Sequence, residues 1–156
     1  MRILAVDGGS SLSGYVLFRN GDPPTRMGKV PNLELVQILQ EEKFDILAIE
    51  VPKPRGGKMW WQLIEMAVWV GRFIQASGKP FHPVDRRDVK IHVGKSGKAK
   101  DGDIRAAIIE RFGGKDKAIG TKKNPGPLFN MKADMWQAYA VGLTYLEGGC
   151  KSIYDL

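Results

Sequence analysis

One cysteine and two histidines are the only thiol and imidazole side chains in this 156-residue chain. Cys150 alone cannot close an intrachain disulfide, and with only His82 and His92 beside it no ordinary His/Cys zinc cage can form. A resident metal must therefore be held by oxygen, and the thiol usage suits a reducing compartment. Long apolar runs are missing as well. The most apolar stretch, Met59 to Ile74, is broken by Gln62, Glu65 and Arg72 and falls short of the roughly 20 residues that a membrane-spanning helix requires. At the N-terminus the apolar run Ile3 to Val6 stops at Asp7 and two glycines, too early for the core of a secretion signal. No repeat or low-complexity tract divides the chain, so one domain over residues 1–156 is expected. Acids are few relative to bases: 17 Asp plus Glu face 24 Lys plus Arg, a net charge of +7. An excess of that sign favours a polyanionic partner, nucleic acid first.

What is present is an ordinary soluble composition, 43% apolar and 26% charged, and a readable order of elements. Ile3 to Val6 reads as a buried strand ending in the turn Asp7-Gly8-Gly9-Ser10. Gly14 to Phe18 is the expected return strand, and Asn20-Gly21-Asp22 signals a hairpin into a third strand, Thr25 to Val30. Leu35, Ile38 and Leu39 recur at helical spacing over Leu33 to Phe44, with Asn32 as the expected N-cap. Asp45 to Val51 is another apolar strand; lying beyond a helix, it should pair parallel to the first. A longer helix follows from about Met59 to Ser77. Its stripe of Trp60, Leu63, Ile64, Ala67, Val70 and Ile74 is expected to face the core, while Trp61, Val68 and Trp69 extend the apolar surface toward a second buried face, such as a dimer interface. Pro80 to Val84 should be a strand and Arg87 to Val93, Asp101 to Phe112 and Met131 to Leu146 helices, with Gly113 to Asn130 left as a loop. The pattern is an α/β sandwich on a mixed sheet.

Charge is not spread evenly. Residues 86–123 carry twelve basic side chains against five acids, an excess equal to the whole net charge. Such a segment suits phosphate-backbone binding through Arg86, Arg87, Lys95 and Lys98, with the tract Lys95 to Lys100 as a flexible basic arm. Lys53, Arg55 and Lys58 add positive charge after the fourth strand. Trp61 is placed to stack on nucleic-acid bases, whereas Trp60, on the main stripe, is expected to pack.

Three acids stand where such an architecture gathers strand ends and a helix start. Asp7 and Glu50 follow the apolar strands Ile-Leu-Ala-Val and Ile-Leu-Ala-Ile, and Asp134 opens the last helix, whose dipole favours an anion. In a basic protein, such a cluster invites a divalent cation, Mg²⁺ or Mn²⁺. Two ions about 4 Å apart would activate a water and stabilise a leaving oxygen in phosphodiester hydrolysis. Taken singly, each acid is equally explained as a turn former, a strand terminus or a helix-start residue. Asp101 and Asp103 are sufficiently explained by capping. Glu147 and Asp155 read as solvated, and His82 and His92 have no partner by spacing.

At these residues the sequence resembles the RuvC-type Holliday junction resolvases of the ribonuclease H-like superfamily. Met-Arg-Ile-Leu-Ala-Val-Asp-Gly-Gly-Ser followed by Ser-Gly-Tyr looks like the family's first hairpin, and Leu-Ala-Ile-Glu like its second acidic strand. Gly71 to Lys90 is similar to the family's central helix and next strand. Ser96-Gly97-Lys98 and Ala133-Asp134 complete the order. The resemblance implies a ribonuclease H-like fold, with a mixed five-stranded sheet and helices on both faces. It also implies a cytoplasmic, metal-dependent endonuclease, from a bacterial cell or a bacteriophage-infected host, that nicks four-way DNA junctions as a homodimer. Carried over, Asp7, Glu50 and Asp134 would be metal ligands, and Lys90 and Lys100 would stand near the scissile phosphate or backbone. The departure is Gln137: the family usually has a second acid there, and an amide offers a carbonyl oxygen without charge.

Three alternatives remain at this level. The Asp-Gly-Gly-Ser turn also resembles the phosphate loop of actin-like kinases, which need a second domain. An RNA-processing nuclease of the same superfamily shares the first motif. A non-catalytic junction-binding protein would account for Gln137.

Overall fold

In the computed structural model, which describes residues 1–54 and 60–151, five strands form one sheet in the order β3-β2-β1-β4-β5. The strands are β1 (Arg2–Asp7), β2 (Leu12–Arg19), β3 (Arg26–Pro31), β4 (Ile46–Glu50) and β5 (Phe81–Val84). β1 to β3 form an antiparallel meander, and β4 and β5 add in parallel on the other side of β1. The helices are α1 (Asn32–Glu41), α2 (Trp60–Ser77), α3 (Arg86–His92), α4 (Asp101–Arg111), the short α5 (Lys115–Ala118) and α6 (Asp134–Leu146).

The alternation of side chains along a strand divides the core into two. Ile3, Ala5, Val16, Phe18 and Ala48 point to one face, where α3 to α6 cover them with Val89, Ile104, Ala118 and Ala138. Leu4, Val6, Tyr15, Leu17, Leu47 and Ile49 point to the other, under α1 and α2. α6 lies across the sheet centre. A Cβ on its Gly142 would come 2.4 Å from the buried Phe18 ring and 3.0 Å from the Ala5 Cβ, so only glycine permits that approach.

Several sequence expectations need correction. Asn32 is not a cap: Pro31 takes the N-cap position and Asn32 is the first helical residue. Its buried amide donates to the Gly9 carbonyl and accepts from Ser13 Oγ at 2.6 Å, and the Gly9 amide donates in turn to Ser13. This closed ring of bonds ties down the turn after Asp7, a stronger use for a buried amide than an exposed cap. α1 ends at Glu41, leaving Phe44 to pack in the core from the connection to β4. The loop before α6 contains the turn α5. On α2 the buried side is rotated from the expected stripe. Val70, Phe73 and Ser77 are buried, while Trp60 and Trp61 are each 60% exposed and Ile64 and Val68 also face outward. A helix with apolar residues on more than one side carries no unique moment, so periodicity could not choose the face. No helix among the described residues is long and apolar enough to cross a membrane.

Candidate active site

β1 and β4 run side by side in parallel, with Val6 opposite Ile49, so the next residue of each, Asp7 and Glu50, emerges at the same sheet edge. Their carboxyl groups hydrogen-bond to each other. Burial pushes the Asp7 carboxyl up to about 9; the hydrogen bond and repulsion from Glu50 and the charge of Asp134 add to this, and only Arg86 opposes it. Two carboxylates so close disfavour ionising together, and the rise falls on Asp7. They line a cavity of about 260 Å³ with Gly8, Lys53, Leu63, Val70 and Arg86.

Asp134 approaches from the other side of β1. Asp7 pairs with Gly14 of β2, and Gly14 pairs with Lys29 of β3. A Cβ at Gly14 would lie 2.6 Å from the Asp134 carbonyl oxygen, so the absent side chain is what lets the start of α6 press on the strand. Ala133, at φ 46°, turns the chain into that helix. The Asp134 carboxylate is held by Lys29 Nζ at 3.0 Å and lines a neighbouring cleft of about 460 Å³ with Asp101, Arg105, Lys132, Trp136 and Gln137. Gln137 is only 6% exposed. Among the described residues no three His, Cys, Asp or Glu side chains stand close enough to hold an ion, although the charge of Asp134 is felt at Asp7. Asp134 takes the Lys29 ammonium as its partner. The Asp7–Glu50 pair does fit a hard divalent cation, because both donors are carboxylate oxygens lining one cavity.

No family model matches the chain, and no curated protein matches it. Among solved structures, Thermus thermophilus RuvC in complex with a Holliday junction substrate is similar at 14% identity with a TM-score of 0.68, over 96% of this chain and 97% of that one. A second structure of Thermus thermophilus RuvC is similar at 14% identity with a TM-score of 0.67, over 96% and 98%. The chain has the RuvC fold. The mixed five-stranded sheet with helices on both faces agrees with the sequence reading.

On this RuvC fold the basic residues fall into distinct groups. Arg86, expected on a DNA-binding surface, is half-buried in the Asp7–Glu50 cavity. Its guanidinium stands 3.7 Å from Glu50 and 2.6 Å from Asp101. Lys53 also reaches the cavity but pairs with Asp85, a 1%-exposed acid that caps α3 by accepting from the Arg87 amide at 2.9 Å. Arg87, Lys90, Ser96, Gly97 and Lys98 line an open basic cleft apart from the carboxylates. Lys100 is exposed at the start of α4, its amide donating to Asp103 at 2.8 Å. Neither Lys90 nor Lys100 lines the Asp7–Glu50 cavity.

The tract Lys95 to Lys100 is not a free arm. Ser96 and Ala99 amides donate to the carbonyls of Lys90 and Ser96, Lys95 Nζ caps His92, and Ala99 is buried against Gly94. Trp61 packs edge-to-face on Trp60 with ring centroids 5.6 Å apart. Arg55 and Lys58 lie outside the described residues, as does Asp155.

Four residues escaped the sequence reading. Lys29 and Asp85 sit on a strand and at a strand end whose neighbours only the register reveals. His92 and Glu147 were read as partnerless and solvated, yet they hydrogen-bond at 2.9 Å, and Arg111 clamps both Glu147 oxygens. Burial alone would raise the Glu147 pKa; the hydrogen bonds from Arg111 and His92 outweigh it and hold the carboxyl below its ordinary value. Only the chain reversal that brings α6 back to α3 puts residues 92 and 147 together.

Proposed function

We propose that the chain is a metal-dependent, structure-selective DNA endonuclease that hydrolyses phosphodiester bonds at four-way or other branched junctions. The observation that carries this reading is the pair Asp7 and Glu50, half-buried at the ends of adjacent parallel strands beside Arg86, in a protein of net charge +7. Paired acids of that kind hold Mg²⁺ or Mn²⁺, and the ion supplies a nucleophilic water at neutral pH. Asp134 would join the ligands on leaving Lys29, and Gln137 in the same cleft would offer a neutral oxygen. The site is then completed by residues that position the strand. Arg87, Lys90, Lys95, Lys98 and Lys100 hold phosphates along the face of α3 and the turn after it, with Lys53 at the cavity and the basic residues Arg55 and Lys58 following it in sequence.

The working unit is a homodimer of this single domain, as symmetric nicking of a four-way junction requires. The outward face of α2, with Trp60, Ile64 and Val68, supports that assembly, and Trp61 at its exposed end supports stacking on unpaired bases. The place of action is the cytoplasm of a bacterial or bacteriophage-infected cell. A labelled four-way junction and its matching linear duplex, incubated with Mg²⁺, Mn²⁺ or chelator, test the reading. Paired nicks in the junction alone, only with metal, are expected. Gln137, buried and uncharged beside Asp134, favours a second reading in which the protein binds junctions without cutting them. Tight junction binding with no nick under either metal would establish that one instead.

A further inference from the structure

Arg86 and Gln137 change the charge of the site in the same direction. On α6 the residue three after Asp134, on the same helical face, is a buried amide where a carboxylate would add a negative charge. On α3 the first helical residue carries a guanidinium into the cavity that Asp7 and Glu50 line. That guanidinium is anchored at both sides. One nitrogen faces Glu50 at 3.7 Å, and the other donates to Asp101 at 2.6 Å. Asp85, buried immediately before it, fixes the backbone by capping α3. Arg86 is thus a built-in monovalent cation, held within a few ångströms of the carboxylates and half shielded from water. An acid is missing and a base is present, so the site has charge for one divalent ion and little attraction for a second.

We propose that Arg86 takes the place of a second metal ion: the site binds one divalent cation per chain, and Arg86 contacts the phosphate that is cut. This rests on the nuclease reading above. In the hydrolysis a water oxygen bonds to phosphorus and the P–O bond to one strand end breaks. The water gives up a proton to solvent, and the departing alkoxide gains one from solvent. Negative charge accumulates on the non-bridging oxygens meanwhile, and the planar fork of guanidinium N–H donors matches them. The Arg86 fork reaches them by releasing Asp101, an exposed partner at the start of α4 whose ion pair costs little to open. Lysine would keep the charge but lose the fork.

The test counts Mn²⁺ ions bound by the full chain, by electron paramagnetic resonance of the free ion, for wild type, Asp7→Asn, Arg86→Lys and Arg86→Gln. The same four proteins are assayed for nicking of a four-way junction. Circular dichroism confirms that each is folded, and Arg86→Lys serves where Arg86→Gln is not. Wild type should bind one Mn²⁺, Asp7→Asn none, and Arg86→Gln should bind Mn²⁺ severalfold more tightly. Nicking by Arg86→Gln should fall about 100-fold or more, the loss typical of a missing transition-state donor. Arg86→Lys should keep one ion and recover part of the rate. Two ions bound by wild type, unchanged Mn²⁺ affinity in Arg86→Gln, or wild-type nicking by that variant would each overturn the proposal. Wild type that binds one ion, tightened by Arg86→Gln, yet nicks no DNA supports the charge assignment and contradicts only the nuclease reading. No Mn²⁺ bound at all contradicts both.

Discussion

Gly14 decides whether Asp134 can stand near Asp7. With its missing Cβ directed at the first residue of α6, 2.6 Å from a backbone oxygen, an alanine cannot be absorbed by a side-chain rotation and must push the helix away. Gly14→Ala should lower stability by about 1–3 kcal/mol, the usual effect of overpacking, and should reduce metal-dependent activity further than the lost stability explains. Denaturant unfolding beside a nicking assay checks this, and an Asp134 contribution that survives the substitution would contradict it.

Asp7 carries a second consequence. Its folded pKa, about 9, lies far above the ordinary carboxylate value, so the folded state holds a proton that the unfolded chain releases. The stability this gives is complete below about pH 4 and is lost as pH rises toward 9. In chelator at pH 8, Asp7→Asn should therefore melt higher than wild type. Added Mg²⁺ should raise the wild-type Tm and leave that of the variant unchanged. A variant that melts lower in chelator would show that the acid pair is not strained.

At the scale of elements, α2 is the helix whose role the single chain leaves open. Val70 and Phe73 anchor it to the sheet, and Trp60, Ile64 and Val68 are exposed. Sedimentation should show wild type as a dimer and Val68→Glu as a folded monomer, because a charge placed in a packed apolar interface is costly. Trp61→Ala, one position around the helix, should instead leave the dimer intact and weaken junction binding by about 1–3 kcal/mol, as loss of a stacked base does. Equal effects of both substitutions on assembly would mean that Trp61 belongs to the dimer face, and unchanged junction affinity of Trp61→Ala would remove the stacking role.

The turn from Lys95 to Lys100 teaches a related lesson. Its small residues read as flexibility, yet Gly94 and Ala99 are small because they pack on each other. Small residues permit close approach as readily as motion, and composition alone cannot separate the two.

Across the whole molecule, what was legible in the sequence follows from how local each signal is. β1 and β4 are continuous apolar runs ended by an acid, and a parallel pair with a helix between them must bring those two ends together. Asp7 and Glu50 could therefore be named before any coordinates. Asp134 was legible as the start of a helix, but its partner Lys29 depends on the register of a third strand. Arg86 was legible only as part of a basic segment. Its turn into the cavity is set by the buried cap Asp85, one residue before it. The orientation of α2 was illegible because several of its faces are apolar.

The central claim is that the Asp7–Glu50 pair is the reacting centre of a junction nuclease. The most direct measurement compares wild type with Asp7→Asn on a labelled four-way junction in Mn²⁺, at protein concentrations where both bind the junction equally. The account predicts paired nicks from wild type, and from the variant a rate at least about 100-fold lower with junction binding retained. Equal nicking by the two proteins would contradict it.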